Sequence, residues 1–127
     1  MKISLKALKY YVDINVPVEE LCDKMVMAGF EVEEIINTAD TMHNVVVGKI
    51  LKTEKHPDAD KLKICTVDVG DGTPRQIVTG ADNVFEGATV PAALHNSLLP
   101  NGTKITKGKL RGIVSEGMLC SGGELLI

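Results

Sequence analysis

The chain has 127 residues, of which 44% are hydrophobic and 24% charged, and its formal net charge is −3. This balance is typical of one soluble globular domain, or of one small domain with an appendage. No apolar run approaches the ~20 residues that a membrane-spanning helix needs, and the N-terminus lacks the apolar core and small-residue cleavage site of a signal peptide. We therefore expect a protein without a membrane partner.

The first 38 residues predict a small α+β segment. Ser4 is suited to cap a helix that runs to Val12, and Pro17 fits the first turn of a second helix that Gly29 would end. Residues 30–36 then predict a strand with acidic residues on its exposed side. A unit of this size cannot bury a core alone, so we expect its apolar helix faces to pack on another domain or on further chain.

The polar stretch 37–41 predicts a linker, so we place the domain boundary between residues 38 and 39. From there to residue 127 the chain is rich in short β-prone runs and glycine-containing turns, among them the hairpin signature Gly70-Asp71-Gly72. The predicted strands are residues 44–53, 63–69, 75–79, 89–94, 110–114 and 118–121. Short strands with little helix favour a mainly β fold, either a small barrel or a sandwich.

Three cysteines occur, Cys22, Cys65 and Cys120, at long spacings and without a Cys-x-x-Cys motif. An odd count with such spacing argues against a disulfide framework and against a structural zinc site. We expect small buried thiols and a reducing, cytoplasmic environment.

Charge is distributed unevenly along the chain. Residues 88–127 carry four Lys or Arg and two acids, and residues 88–115 contain no acid at all. Lys104, Lys107, Lys109 and Arg111 lie close together in this stretch. A local positive patch attracts phosphate even on a chain of negative net charge, because salt screens charges that lie more than about 10 Å away. The alternative is that these residues form an ordinary solvated surface.

Two segments contain residue types that are used in catalysis or metal binding. His56-Pro57-Asp58-Ala59-Asp60 offers an imidazole and two carboxylates, but the proline and short spacing favour a turn, with the carboxylates bonding local backbone. Ser115 and Cys120 have no base in a known pattern with them, so acyl transfer is not expected. No phosphate-binding glycine loop occurs. We expect no catalytic site, no metal site and no ATP site in these residues.

The barrel half contains one aromatic residue, Phe85. Proteins that grip single strands without sequence preference stack bases on aromatic side chains, so this mode is disfavoured. Recognition of a folded RNA by shape, phosphates and 2′-hydroxyls remains compatible with the composition.

Five motifs occur in a specific order from residue 56 onward. They are His56-Pro57-Asp58-Ala59-Asp60-Lys61-Leu62, then residues 77–84 (IVTGADNV), 87–94 (GATVPAAL), 99–102 (LPNG) and 107–121 (KGKLRGIVSEGMLCS). Together they resemble the tRNA-binding oligonucleotide-binding (OB) domain that several aminoacyl-tRNA synthetases share with free-standing tRNA-binding proteins. The resemblance implies a Greek-key OB barrel over residues 39–127. His95-Asn96 stands where relatives often have a glycine nearby, and we expect Asn96 to support the left-handed turn. The pair Gly122-Gly123 is expected to loosen the last strand's register.

The opening residues Met1-Lys2-Ile3-Ser4-Leu5 and the later run from Met27 to Glu33 resemble the start of the bacterial phenylalanyl-tRNA synthetase beta chain. The resemblance implies a parent enzyme that joins phenylalanine to tRNA with ATP and magnesium, and an α2β2 assembly with an alpha chain and a second beta chain. It places catalysis in the alpha chain and the beta chain's magnesium-binding and editing residues outside this sequence. Members of that family are several times longer, so we interpret the chain as a fragment.

The resemblance implies a tRNA-binding role at matching motif positions. The candidate residues are Lys61, Lys63, Asn83, Lys107, Lys109, Arg111, Ser115, Met118 and Ser121. Basic side chains would meet phosphates, and Asn and Ser would hydrogen-bond sugar or phosphate. Met118 is equally suited to the core. The alternative function is a structural, subunit-assembly module with little tRNA contact; a free-standing tRNA-binding protein and a stand-alone enzyme are both disfavoured.

Overall fold

Ser4 begins the first helix in the computed structural model, which describes residues 1–127. Helix α1 (Leu5–Leu8) starts where the Ser4 hydroxyl accepts a hydrogen bond from the Ala7 N–H at 3.0 Å, so the predicted cap is confirmed. The helix is shorter than predicted, because after Leu8 the backbone continues as single turns, with the Tyr11 N–H donating to the Leu8 carbonyl.

Helix α2 (Val18–Met27) follows the predicted signals closely. Pro17 stands immediately before it, and Glu19 and Glu20 lie in the first turn, where the helix dipole favours negative charge. Gly29 has a φ of 95° and ends the helix, while the Phe30 N–H donates back to the Met25 carbonyl at 2.9 Å. At ten residues this is the longest helix, and none in the chain has the length and apolar character to cross a membrane.

The predicted strand at residues 30–36 is wrong. These residues form no regular element, and no strand of the chain pairs with them. A β-strand needs a neighbour to satisfy its backbone groups, and the two helices of the unit Met1–Ile36 do not provide one. The predicted linker contains a short 3₁₀ turn, Thr38–Thr41, which Asn37 caps.

The unit Asn37–Ile127 is mainly β, as predicted. Its elements are β1 (His43–Lys55), β2 (Lys63–Asp68), β3 (Arg75–Thr79), β4 (Thr89–Leu98), β5 (Lys104–Ile105), β6 (Gly108–Leu110), β7 (Ile113–Ser115), β8 (Gly117–Leu119) and α3 (Gly122–Leu125). The main sheet runs β3-β2-β1-β4-β5, with β8 also on β4, and all pairings are antiparallel. Strands β6 and β7 form a separate two-stranded ribbon.

The sheet closes into a barrel between β3 and the β7–β8 connection. The Glu116 N–H donates to the Gln76 carbonyl at 2.8 Å, and the Gln76 N–H donates to the Glu116 carboxylate at 3.0 Å. The Val78 N–H donates to the buried Ser115 hydroxyl at 3.0 Å. The strands therefore follow the cyclic order β1-β2-β3-β8-β4, which is the predicted Greek-key path of an OB barrel.

Aliphatic side chains and one cysteine fill this barrel. Ile50, Cys65, Val67, Ile77 and Ala92 are fully buried and form its core. A second cluster, Ala93, Leu99, Cys120 and Leu125, lies where β4 meets β8 and α3.

The last strands differ from prediction. The predicted strand 110–114 is a hairpin, because Arg111 and Gly112 both adopt positive φ between β6 and β7. The predicted strand 118–121 ends at Leu119, because Ser121 caps α3 in a reciprocal pair of hydrogen bonds with Glu124. The expectation for Asn96 is confirmed by its left-handed φ of 64°.

Candidate nucleic-acid interface

The β6–β7 ribbon presents the basic residues predicted to meet phosphate. Leu110 pairs with Ile113, which leaves a two-residue turn of Arg111 and Gly112 with φ values of 52° and 84°. Two positive φ values define a type I′ turn, whose twist matches that of a hairpin. Arginine rarely adopts this conformation, and here it places an exposed guanidinium at the ribbon's tip. Lys109, also exposed, lies within β6 opposite Val114.

Two histidine rings hold this ribbon on the barrel. His56 is buried at the end of β1, and its Nδ1 accepts from the Asp58 N–H at 3.0 Å. Since a backbone N–H can only donate, Nδ1 carries no proton, and the proton on Nε2 is donated to the Leu110 carbonyl at 3.1 Å. His95 accepts from the Lys107 N–H through Nδ1 at 2.9 Å. The segment from 107 to 110 is thus fixed near both ends.

Lys107 differs from its basic neighbours because it has an acidic partner. Its Nζ lies 3.5 Å from an oxygen of Glu116, and its side chain is 53% exposed. The Gln76 N–H, and after it the charge of Lys107, lower the pKa of the Glu116 carboxyl below its ordinary value. An exposed pair of this kind contributes little to stability, so the ammonium remains accessible to phosphate.

Lys61 and Arg111 line one groove, although fifty residues separate them in the sequence. The groove has a volume of about 460 Å³ and lies between the turn that follows β1 and the ribbon's tip. Its remaining lining residues are Asp58, Ala59, Asp60 and Leu62. Lys61, Lys109 and Arg111 form no ion pair within the protein, so their charged groups are free to contact a ligand.

Lys63 and Asn83 meet at the turn after β3. The Lys63 ammonium donates to the Asp82 carbonyl at 3.0 Å and approaches the Val84 carbonyl at 3.5 Å. The lysine is half-buried, while Asn83 between those carbonyls is exposed. Lys63 therefore supports the turn that presents Asn83.

The three remaining candidates are involved in barrel structure. Ser115 is 5% exposed, and its hydroxyl accepts from the Val78 N–H and donates to the Gly117 carbonyl at 2.8 Å. Met118 is half-buried against the second core cluster. Ser121 is exposed, and its hydroxyl bonds Glu124 as the α3 cap. The structure does not bring these three side chains into the groove lined by Lys61 and Arg111.

The turn from His56 to Leu62 is present as predicted, but its hydrogen bonds come from other groups. The imidazole of His56 caps the Asp58 N–H, and the Leu62 N–H donates to the Ala59 carbonyl at 3.2 Å. Asp58 and Asp60 are exposed and unpaired with any cation.

Magnesium with ATP, which the resemblance associates with the parent enzyme, does not fit these residues. A hard divalent cation prefers a larger set of oxygen ligands, and no group of three or more acidic, histidine or cysteine side chains converges anywhere in the chain. The two carboxylates beside the groove would also repel a triphosphate.

Sequence reasoning missed the role of the two histidines. The sequence offers His56 as a turn residue or a metal ligand and His95 as a turn residue or a catalytic base, and neither interpretation predicts a contact with the ribbon. The available signal was a histidine directly before Pro-Asp, where a turn needs an acceptor for a backbone N–H; its second partner, Leu110, lies 54 residues away and has no local signature.

Comparisons with known proteins show which family the chain resembles. Residues 45–126 match the family model described as putative tRNA binding domain. Over 98% of its length the chain is 57% identical to the phenylalanine–tRNA ligase beta subunit of Clostridium acetobutylicum and 55% identical to that of Clostridium tetani. A solved structure, the MetRS related protein from Pyrococcus horikoshii, is 29% identical with a TM-score of 0.49, covering 68% of this chain and 76% of that one.

The chain spans about 16% of the length of the curated relatives it matches. The family model covers more than half of the chain, and it includes the ribbon and the groove. The resemblance inferred from the motifs is therefore confirmed, and the chain belongs to the tRNA-binding domain family, in a form similar to the phenylalanine–tRNA ligase beta subunits.

Proposed function

We propose that the chain binds tRNA through a basic surface made of Lys61, Lys107, Lys109 and Arg111. The observation that carries the proposal is the β6–β7 ribbon, where Lys109 and Arg111 are exposed without an acidic partner. Histidine side chains hold the backbone of the ribbon, so little loop ordering opposes binding. Phosphate contacts of this kind give affinity that depends on RNA shape more than on sequence.

We propose distinct roles for the other candidate residues. Asn83, exposed on its turn, hydrogen-bonds a sugar or phosphate, and Lys63 holds that turn in place. Ser115, Met118 and Ser121 act indirectly, because their polar or apolar groups are engaged within the barrel and its last helix.

We further propose that the chain, with its division near residue 38 into an N-terminal segment and a barrel, acts within a phenylalanine–tRNA ligase. High identity to the beta subunits supports this assignment. The parent enzyme would use ATP and magnesium, in an α2β2 assembly with an alpha chain and a second beta chain, in the cytoplasm. The three cysteines of the chain are free thiols, and two of them, Cys65 and Cys120, are buried. Free thiols are typical of a reducing compartment.

A structural, subunit-assembly role is the second candidate. It is favoured by the net charge of −3 and by exposed apolar side chains on β1, where Val47 is 71% and Leu51 47% exposed. Such side chains are common at protein–protein contacts. Only the tRNA-binding role depends on the positive charge of the ribbon, so removing that charge distinguishes the two candidate functions.

Titration of the chain with its cognate tRNA at several salt concentrations tests the proposal. We expect affinity to fall steeply with salt, because each phosphate contact releases counterions and adds about 0.7–0.9 to the logarithmic slope. Replacing Lys107, Lys109 and Arg111 together by Ala should weaken binding and flatten this slope. The matched control replaces Lys2, Lys6 and Lys9, three exposed lysines of the N-terminal unit, and should change both quantities less.

Absence of tRNA binding by the folded chain at low salt would contradict the proposal. Unchanged tRNA affinity in the ribbon variant, with weakened association with the alpha chain, would support the assembly role instead.

A further inference from the structure

We propose that the groove between the 58–62 turn and the tip of the β6–β7 ribbon binds one unpaired nucleotide of the RNA, and selects a base that carries amino donors. The inference rests on the proposed function and assigns a specific subsite within it. The groove has a volume of about 460 Å³ and is open to solvent.

Both walls of the groove are held by one buried side chain. The imidazole of His56 bonds the Asp58 N–H on one wall and the Leu110 carbonyl, adjacent to Arg111, on the other. The backbone N–H of His56 also donates to the Leu62 carbonyl at 3.0 Å, which closes the turn at its other end. The distance between the walls is therefore set before any ligand arrives, which lowers the entropic cost of binding.

The groups around the groove are available to a ligand. Lys61 and Arg111 are exposed and form no ion pair with Asp58 or Asp60, although all four line the same space. Opposite charges on an ordinary surface commonly pair with each other. Here they line a groove together with Ala59 and Leu62, so the groove combines cationic, anionic and apolar groups.

A nucleotide matches this combination better than a phosphate ion or a metal. The planar guanidinium of Arg111 is suited to stack on a base, and the Lys61 ammonium is suited to the adjoining phosphate. Carboxylates accept hydrogen bonds from exocyclic amino groups. Guanine presents two neighbouring donors on its Watson–Crick edge, whereas uracil presents carbonyl oxygens that the carboxylates would repel. A bare phosphate offers neither a donor to the carboxylates nor a planar ring to the guanidinium.

This mode also explains how the barrel can bind a base with few aromatic residues. Arginine replaces the aromatic side chain as the stacking platform. The left-handed φ of 52° at Arg111 is uncommon for a residue with a side chain, and such positions concentrate at ligand-binding sites. Glycine would satisfy the turn with less strain, but it would leave the groove without a cation at the tip.

Amide chemical-shift mapping of the isotopically labelled chain, with guanosine and uridine 5′-monophosphates at equal millimolar concentration, tests the proposal. We expect shifts confined to residues 58–62 and 110–112, and larger for the guanosine nucleotide. Arg111→Lys keeps the positive charge but removes the planar guanidinium, so it should reduce these shifts. It should also weaken tRNA binding about tenfold, in the range expected for one stacked base. Lys9→Ala, at an exposed lysine of the N-terminal unit and outside the groove lining, should leave the nucleotide shifts unchanged.

Asp58→Asn with Asp60→Asn separates base recognition from simple charge. Base recognition predicts that the preference for guanosine over uridine disappears. A general rise in affinity for both nucleotides, with the preference intact, would overturn the assignment of the carboxylates. Absent or equal shifts for the two nucleotides would overturn the subsite, while salt-dependent tRNA binding in the same sample would leave the proposed function standing. Failure of tRNA binding would refute the proposed function itself.

Discussion

The buried imidazole of His56 donates a hydrogen bond from Nε2 to the carbonyl oxygen of Leu110, 54 residues further along the chain, at 3.1 Å. The same ring accepts from the Asp58 N–H. One side chain thus connects the end of β1 and the turn after it to the ribbon that carries Lys109 and Arg111. The relationship links barrel stability to the geometry of the proposed RNA surface.

Replacing His56 by Ala should destabilise the chain and weaken tRNA binding together. The Asp58 N–H and the Leu110 carbonyl would lose their partner, and each hydrogen bond of this kind contributes about 0.5–1.5 kcal/mol to stability. Urea unfolding measures the free-energy loss, and tRNA titration of the folded variant measures the binding loss. His95→Ala is the control, because His95 is exposed and supports only the Lys107 N–H, so its stability loss should be smaller. Equal losses in the two variants would contradict the central role of His56.

Ser115→Ala should reduce stability and leave the tRNA affinity of the folded chain nearly unchanged. The Val78 N–H, in a residue only 3% exposed, depends on the Ser115 hydroxyl as its acceptor. Loss of that acceptor should cost about 1–3 kcal/mol of unfolding free energy. Thermal unfolding and tRNA titration on the same sample distinguish the two effects. An affinity loss without a stability loss would show that the hydroxyl contacts RNA directly.

Gly117→Ala should prevent proper closure of β8 on β4. A Cβ at this position would overlap the Ala93 carbonyl oxygen, and relieving a backbone clash of that kind typically costs about 1–3 kcal/mol. Gly123→Ala is the matched control, since its Cβ would meet only the Ser121 hydroxyl at 3.9 Å. Within α3 that change should be neutral or stabilising by about 0.5–1 kcal/mol. Similar unfolding midpoints for both variants would refute the close approach of β8 to β4.

Glu116→Gln should remove part of the chain's sensitivity to acid. The pKa of the Glu116 carboxyl is lowered in the folded state, chiefly by the Gln76 N–H. Its contribution to stability is therefore present above the unfolded pKa of about 4.3 and is lost as pH falls through the lower folded value. Thermal unfolding midpoints of wild type and variant should differ at neutral pH and converge towards about pH 3. A constant difference across this range would contradict the link to Glu116 ionisation.

Local patterns in the sequence determined much of the fold. Strand β3 matches its predicted limits, and β1 and β2 lie within one or two residues of theirs, because period-two alternation and turn glycines act over short distances. Ser4 and Gly29 marked helix ends for the same reason, since caps are satisfied within one turn. The ordered set of motifs was sufficient to identify the family.

Tertiary structure alone decided the accessibility of the candidate residues. Ser115 and Lys107 both belong to the motif of residues 107–121, yet closure on β3 buries Ser115 and leaves Lys107 exposed beside Glu116. The β6–β7 turn could not be predicted from the sequence, because Arg111-Gly112 lacks the Asn-Gly signature of type I′ turns. The His56–Leu110 bond and the groove it fixes join segments more than fifty residues apart. Periodicity and capping report on neighbours in the sequence, whereas barrel closure sets which distant backbone groups a side chain can reach.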